Sequence, residues 1–233
     1  MRINKYLASC GLCSRREADL LVAEGRVTIN GIPAEPGSQA DETSAVAVDG
    51  KPVQLQQEKT YLLCYKPRGI VCTASRKEKD NIIEFLHLPV RLTYAGRLDK
   101  DSEGLMLMTD DGDLINAVMT AGEVHEKEYE VTVAQKLHRK DLIEMQKGVF
   151  LEEIQRQTRP CRIRYINPHT FRIILTEGIN REIRRMCKAY GYRVTKLVRV
   201  RMMNLELGAL KPGETRLLTG DEIRELRILA DLK

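Results

Sequence analysis

Apolar positions recur along the first fifty residues at helical spacing and then at strand spacing, and the change of period marks out the elements. Ile3, Tyr6, Leu7 and Cys10 fall at i, i+3, i+4 and i+7 and predict a helix stopped by Gly11. Ser14-Arg15-Arg16-Glu17 has the wording of a capping box, in which each end supplies the partner for the other's free backbone N–H. It opens a second helix over 15–24, with Ala18, Leu21 and Val22 as its apolar face and Gly25 as its stop. Arg26-Val27-Thr28-Ile29 then alternates and runs into Asn30-Gly31, a two-residue hairpin turn. A further strand, Ala45-Val46-Ala47-Val48, ends at Asp49-Gly50.

Residues 51–59, with Gln54, Gln56, Gln57 and Glu58 among them, are polar without a sustained period and are read as a linker. From Thr60 the pattern is strand-rich: Tyr61-Leu62-Leu63-Cys64-Tyr65 stops at Lys66-Pro67-Arg68-Gly69, Ile70-Val71-Cys72 resumes, and Tyr129 to Val133 alternates. Helices are predicted between, at Leu114 to Met119, Arg139 to Lys147 and Arg181 to Tyr190. Strands with helices interspersed, without a regular strand-helix-strand period, predict an α+β fold with a mixed, mostly antiparallel sheet. The expected division is a small helix-helix-sheet module at 1–50, a linker at 51–59 and a larger domain at 60–233.

Composition narrows the class. No run of eighteen apolar residues occurs and Met1 to Tyr6 lacks a signal-type apolar core, so a cytoplasmic protein is expected. Six cysteines are scattered, and Cys10 and Cys13 make a lone Cys-x-x-Cys without the second pair a zinc site needs, so no metal is expected. The net charge is only +5, and it informs where it is concentrated. At 100° per residue Arg181, Arg184, Arg185 and Lys188 share one side of the helix near 181–190, while Ile183, Met186, Cys187 and Tyr190 lie opposite. Arg193, Lys196, Arg199 and Arg201 follow, and the one acid between 181 and 203 is Glu182. Such a charge row repels itself unless a polyanion or buried acids compensate, which makes nucleic acid the economical partner.

A second feature concerns chemistry. Leu105-Met106-Leu107-Met108 needs cover on both faces and reads as a buried strand, so Gly96 to Gly104 is expected to be a loop held against it. Asp99 in that loop stands between a basic residue and a turn, and loops on a rigid sheet are a usual place for reacting groups.

The wording of these segments resembles known families. Leu7 to Gly11, Ser14 to Ala18, Gly25-Arg26-Val27 and Asn30-Gly31 resemble the S4 RNA-binding domain, which implies an RNA-binding role for Arg2, Lys5, Arg15, Arg16 and Arg26. Gly96-Arg97-Leu98-Asp99 resembles motif II of the pseudouridine synthases, in the RsuA-like branch that modifies bacterial ribosomal RNA. Glu177-Gly178-Ile179-Asn180-Arg181-Glu182-Ile183-Arg184-Arg185-Met186 resembles motif III, with Asn180 where the best-known wording has His. Lys127-Glu128-Tyr129 is similar to the family's Lys-x-Tyr, and Tyr65-Lys66-Pro67-Arg68-Gly69 to motif I.

These resemblances imply Asp99, Tyr129 and Arg184 as the catalytic residues, with Asp99 starting the reaction, Arg184 paired with its carboxylate and Tyr129 stacked on the uracil, and Ile183 packed beneath the base. They imply Arg97 filling the space of a flipped nucleotide, which base chemistry requires. Lys66, Lys127, Asn180, Arg181, Arg185 and Lys188 are the further substrate-binding candidates. The implied reaction isomerises uridine to pseudouridine with no cofactor and no metal, begun by Asp99 at C6, at C1′ or on a ribose proton. The implied partner is ribosomal RNA or an assembly intermediate, 23S favoured over 16S, with a transfer RNA open, and the protein is expected to be a monomer without membrane contact. The reading from another class is a non-catalytic RNA-binding ribosome-assembly factor, against which Asp99, Tyr129 and Arg184 together speak, because binding alone needs no carboxylate in a phosphate-facing groove.

Overall fold

The computed structural model describes residues 1–56, 58–75, 77–119 and 125–232; Gln57, in the expected linker, lies outside them. The chain forms two compact units, one of Met1–Thr60, Leu88–Thr93 and Thr109–Gly112, the other of Tyr61–His87, Tyr94–Met108 and Asp113–Lys233.

In the first unit, α1 (Ile3–Ser9) and α2 (Arg15–Ala23) precede a sheet of β1 (Val27–Ile29), β2 (Ile32–Pro33), β3 (Val46–Val48) and β4 (Lys51–Val53). The capping box forms: Glu17 N–H donates to Ser14 Oγ at 3.2 Å, and Ser14 N–H to Glu17 Oε2 at 2.7 Å. Asn30 and Gly31 take left-handed φ of 53° and 81°, as a two-residue hairpin turn demands. Ile3, Leu7, Ala18, Val22, Val27 and Val46 form the core. The linker expected from residue 51 begins later, because Lys51–Val53 is a strand paired to β3. Asp49 and Gly50, with φ of 50° and 72°, make a second tight hairpin turn, and Pro52 is tolerated because β4 is an edge strand of the order β2-β1-β3-β4.

The second unit runs β5 (Tyr61–Lys66), α3 (Ile82–Leu86), β6 (Thr93–Ala95), β7 (Glu103–Thr109), α4 (Gly112–Met119), β8 (Lys127–Val133), α5 (Arg139–Gln146), β9 (Phe150–Leu151) and β10 (Arg156–Gln157). It continues with β11 (Arg162–Asn167), β12 (Thr170–Leu175), α6 (Glu182–Ala189), β13 (Val194–Met202), β14 (Leu205–Glu206), β15 (Thr215–Leu217) and α7 (Gly220–Leu229). The main sheet has the order β11-β12-β8-β13-β7-β5-β15, with β14 on β13 and β6 on β7. Its β13–β7 pair is parallel, and β11–β12, β12–β8, β8–β13, β13–β14 and β5–β15 are antiparallel, so the fold is α+β on a mixed sheet. Leu105, Met106, Leu107 and Met108 are fully buried, as their unbroken apolar run requires.

Two local expectations change. Ile70-Val71-Cys72 is not a strand: Val71 makes one parallel bridge to Asn81, and the chain there folds over the buried Lys66 ammonium, which donates to Ile70 O at 2.7 Å. The loop after Gly96 is shorter than expected, since Glu103 and Gly104 already belong to β7. Gly104 pairs in register with Arg199 at φ 111°, and a Cβ there would stand 2.4 Å from Arg199 O, so only glycine lets β7 approach β13.

Candidate active site

A cavity of about 530 Å³ opens in the second unit, and Arg97, Asp99, Lys127, Tyr129, Asn180, Arg181 and Ile183 all line it. Three stretches far apart in sequence build the wall. The first, between β6 and β7, turns at Asp99: Ser102 N–H donates to Asp99 O at 3.1 Å, and Gly69 N–H to Lys100 O at 2.7 Å ties the Lys66–Gly69 turn to it. The second is the head of β8, where Tyr129 stands in register with Arg199 on one side and Ile173 on the other. The third is the turn from Glu177 into α6, whose first helical residues place Ile183 in the wall at 4% exposure. Leu98, Leu175, Leu197 and Met119 give the cavity an apolar lining, suited to a planar base.

The Asp99 side chain is 29% exposed rather than buried, and its neighbouring cation is Arg181, with Nη1 3.7 Å from Oδ2. The expected Arg184–Asp99 pair does not form. Arg184 Nη2 instead lies 3.4 Å from Asp101 Oδ2 and donates to Asp101 O at 2.9 Å. Arg181 stands outside the helix as its N-cap, with a left-handed φ of 53°, which swings its guanidinium over the loop. There it donates to both Asp101 oxygens at 3.1 and 3.3 Å. Burial opposes ionisation of Asp101, but the hydrogen bond from Arg181 and the charges of Arg184 and Arg181 prevail and hold its carboxyl below the usual range. Burial pushes Arg184 down from its ordinary value, with the charge of Asp101 opposing.

Other candidates are placed elsewhere. Lys66 is fully buried and outside the cavity, its ammonium donating to Pro67 O at 3.0 Å and Ile70 O, so it closes a turn; burial lowers its pKa. Lys127 does line the cavity, and burial, with Arg199 beside it, lowers its pKa. Arg185 and Lys188 both pair with Glu153, in the turn after β9, and Arg185 Nε donates to Asn180 O at 3.0 Å. Lys196 faces Glu103 at 3.7 Å, and Arg201 pairs with Glu126 at 2.9 Å and Glu128 at 3.1 Å. The row of cations near α6 is thus largely compensated by acids from other elements, which overturns the inference from uncompensated charge. In the first unit Arg2, Arg15 and Arg16 are exposed and Lys5 is half-buried, whereas Arg26 is held bidentately by Asp49 at 2.8 and 2.6 Å.

Sequence reasoning missed Asp101, whose only signal was its place two residues after Asp99, and Glu177 and Glu182 as wall residues. It also read Arg199 as surface charge. Arg199 is 1% exposed and lines the cavity floor, with Nε donating to Leu105 O at 2.8 Å. Among the described residues no cluster of three or more His, Cys, Asp or Glu is arranged to hold a metal ion, and no helix is long and apolar enough to cross a membrane.

Comparison with known proteins shows the family. The sequence profile of the S4 domain matches residues 1–46, and that of RNA pseudouridylate synthase matches residues 60–189, which contain every residue from Asp99 to Arg184 discussed above. The chain is 43% identical over 227 residues to a dual-specificity RNA pseudouridine synthase RluF of Salmonella typhi, covering 97% of this chain and 78% of that one. It is 34% identical to the ribosomal large subunit pseudouridine synthase B of Bacillus subtilis (strain 168), covering 99% and 97% of the two chains. A crystal structure of a pseudouridylate synthase superposes with a TM-score of 0.71 at 28% identity, over 97% of this chain and 99% of that one. With a matching profile over more than half its length and relatives similar along nearly all of it, this chain belongs to the RNA pseudouridine synthase family, in the RsuA-like branch that carries an N-terminal S4 domain.

Proposed function

We propose that the protein isomerises a uridine of ribosomal RNA, in the large subunit, with Asp99 as the catalytic residue. The observation that carries the reading is the shared cavity: one partly exposed carboxylate, a guanidinium 3.7 Å away, the Tyr129 ring and the apolar side chains of Leu98, Leu175 and Leu197. The N1–C1′ bond breaks, the freed uracil turns, C5 joins C1′, the C5 proton is lost and N1 takes one up, so atoms balance without redox change. Arg181 stands 3.7 Å from the Asp99 carboxylate that each of the three opening steps uses. Tyr129 and Ile183 hold the detached ring while it turns, and Arg97, which is exposed and lines the cavity, takes the place of the extruded nucleotide in the stack. The large-subunit target rests on the relative from Bacillus subtilis, whose name states it. A second reading, action on a second RNA besides ribosomal RNA, is favoured by the relatives at 42–43% identity, which are named as dual-specificity enzymes.

Residues 1–50 serve in this reading as an RNA-docking module through Arg2, Lys5, Arg15 and Arg16, and residues 60–233 as the catalytic domain. Asp99→Asn, nearly isosteric but uncharged, abolishes pseudouridine formation while RNA binding stays within a few-fold. Mapping pseudouridine in ribosomal and transfer RNA with and without the gene identifies the target. Turnover by the Asn variant would exclude Asp99 as the catalytic group.

A further inference from the structure

Arg199 carries a charge that the fold does not use. Its side chain is buried to 1% exposure, with Nε donating to Leu105 O at 2.8 Å and Nη2 to Met106 Sδ at 3.1 Å. A backbone carbonyl and a thioether are neutral acceptors that an uncharged donor would satisfy, and among the described residues no carboxylate is paired with Arg199. Arg201, two residues on, shows the contrast, because it has both Glu126 and Glu128. A buried cation without a counter-ion is costly, and buried charges are ordinarily paired. The acids of the cavity wall are engaged by other groups: Asp99 faces Arg181, Glu177 accepts from Arg156 Nη2 at 3.1 Å, and Glu182 accepts from Ile179 N–H at 3.1 Å.

The sheet fixes where that charge stands. Arg199 is in register with Tyr129 of β8 and with Gly104 of β7, and partners in one row of a sheet share a face, so the guanidinium lies on the side of the Tyr129 ring. A Cβ at Gly96 would be 3.9 Å from Arg199 Nη1, which puts that nitrogen beside the start of the loop that carries Asp99. Lys127, two residues before Tyr129 and so on its face of β8, is a second cation of the same cavity. Burial lowers its pKa and Arg199 lowers it further, with Glu182 opposing. A base that enters this cavity therefore meets two half-sheltered or buried cations that no carboxylate holds in an ion pair among the described residues.

We propose that Arg199 is a further catalytic residue, whose guanidinium stabilises the negative charge that the uracil ring takes up as the reaction opens. When Asp99 attacks C1′ or takes a ribose proton, the N1–C1′ electron pair leaves with the uracil, and N1, O2 and O4 share the charge. When Asp99 adds at C6 instead, the displaced electron pair of the C5–C6 double bond moves onto O4. Each route thus charges a carbonyl oxygen of the ring, and none needs an oxidant, a reductant or another reactant. A donor fixed in a water-poor cavity is worth most to charge that is absent from the bound substrate, so Arg199 acts on kcat and little on binding.

The inference rests on the isomerisation proposed above, and the test separates the two. Turnover is read as tritium released from uracil C5 in ribosomal RNA of cells lacking the gene, because the product has lost that proton. Arg199→Met removes the charge and keeps an unbranched chain, whereas Arg199→Lys keeps the charge. The Met variant loses about 10²–10³-fold in kcat with KM little changed, and the Lys variant regains about tenfold of that loss. A second measurement needs neither turnover nor a folded Arg199 variant. In Asp99→Asn, RNA with 5-fluorouracil at the mapped target binds without reacting, and fluorine makes the ring N–H acidic enough to ionise near neutral pH. Its anion spreads charge over O2 and O4 as the leaving uracil does, and fluorine NMR reads the midpoint. Apolar walls alone raise that midpoint above the value in free RNA, whereas Arg199 brings it about one unit below, and Arg199→Met in the same background reverses the shift. A Met variant within about threefold of the wild-type kcat, a Lys variant as slow as the Met variant, or a bound midpoint at or above that of free RNA overturns the proposal. Turnover by Asp99→Asn would instead remove Asp99 as the catalytic group and leave the comparison of the Arg199 variants standing.

Discussion

Asp101 holds both arginines of the site, and removing its carboxylate shows how much that junction contributes. In Asp101→Ala, Arg181 loses two hydrogen bonds of 3.1 and 3.3 Å and Arg184 loses a carboxylate oxygen at 3.4 Å, keeping the backbone bond of 2.9 Å to residue 101. Arg184 feels the loss most: its side chain is 14% exposed and its Nε is buried with no hydrogen-bond partner among the described residues. Breaking a fully buried pair costs about 3–5 kcal/mol, whereas an exposed pair is worth about 0–1 kcal/mol. Asp101, at 35% side-chain exposure, lies between these limits, so the expected loss after screening is about 2 kcal/mol, roughly 30-fold in the folding equilibrium. Urea unfolding at neutral pH measures it. The sign with pH is set by the lowered Asp101 pKa: the stabilisation is present above the ordinary carboxylate value and is lost as pH falls through the folded one. The gap between wild type and Ala variant therefore narrows on acidification. Turnover at saturating RNA falls as well, because Arg181 is no longer steered toward Asp99. A variant within about 0.5 kcal/mol of the wild type, or a gap that does not narrow in acid, refutes the assignment of Asp101 as the anchor.

Gly104→Ala would place a methyl 2.4 Å from Arg199 O and 2.7 Å from Arg199 N at φ 111°, and is expected to destabilise by about 3 kcal/mol or more. Gly178→Ala meets nothing within 4 Å and should change stability by less than about 0.5 kcal/mol; similar denaturation midpoints for the two variants would contradict the close β7–β13 approach. Glu222 is held down at about 2, first by the hydrogen bonds from Arg216 against the opposing effect of burial, with the Thr219 cap adding, so its stabilisation exists above about 4.5 and vanishes as pH falls toward 2. Glu222→Gln should cost about 1 kcal/mol at neutral pH and nothing near the acid limit, and a cost that does not depend on pH would count against the Arg216 pair.

The amino-acid sequence by itself determined the elements whose causes are local. Ser14 and Glu17 are one helical turn apart, so their mutual capping needs no other part of the chain, and Asn30-Gly31 makes its turn because those two residues accept left-handed backbone. The fully apolar run at 105–108 had to be a strand covered on both faces. The family was equally legible, since Asp99, Tyr129 and the 177–186 segment each lie in a short stretch of distinctive wording. Tertiary structure alone decided which charges meet. Arg181 reaches Asp101 across 80 residues of chain, Arg184 contacts the same loop across 83 and Arg185 finds Glu153 across 32, so a local count of eight cations against one acid misjudged the surface. It also decided that Arg199 is a floor and not a rim, because the parallel approach of β7 at Gly104 closes over that strand. Backbone preference and capping act over one or two turns, whereas Coulomb attraction and burial depend on distance in space, which the order of residues does not contain.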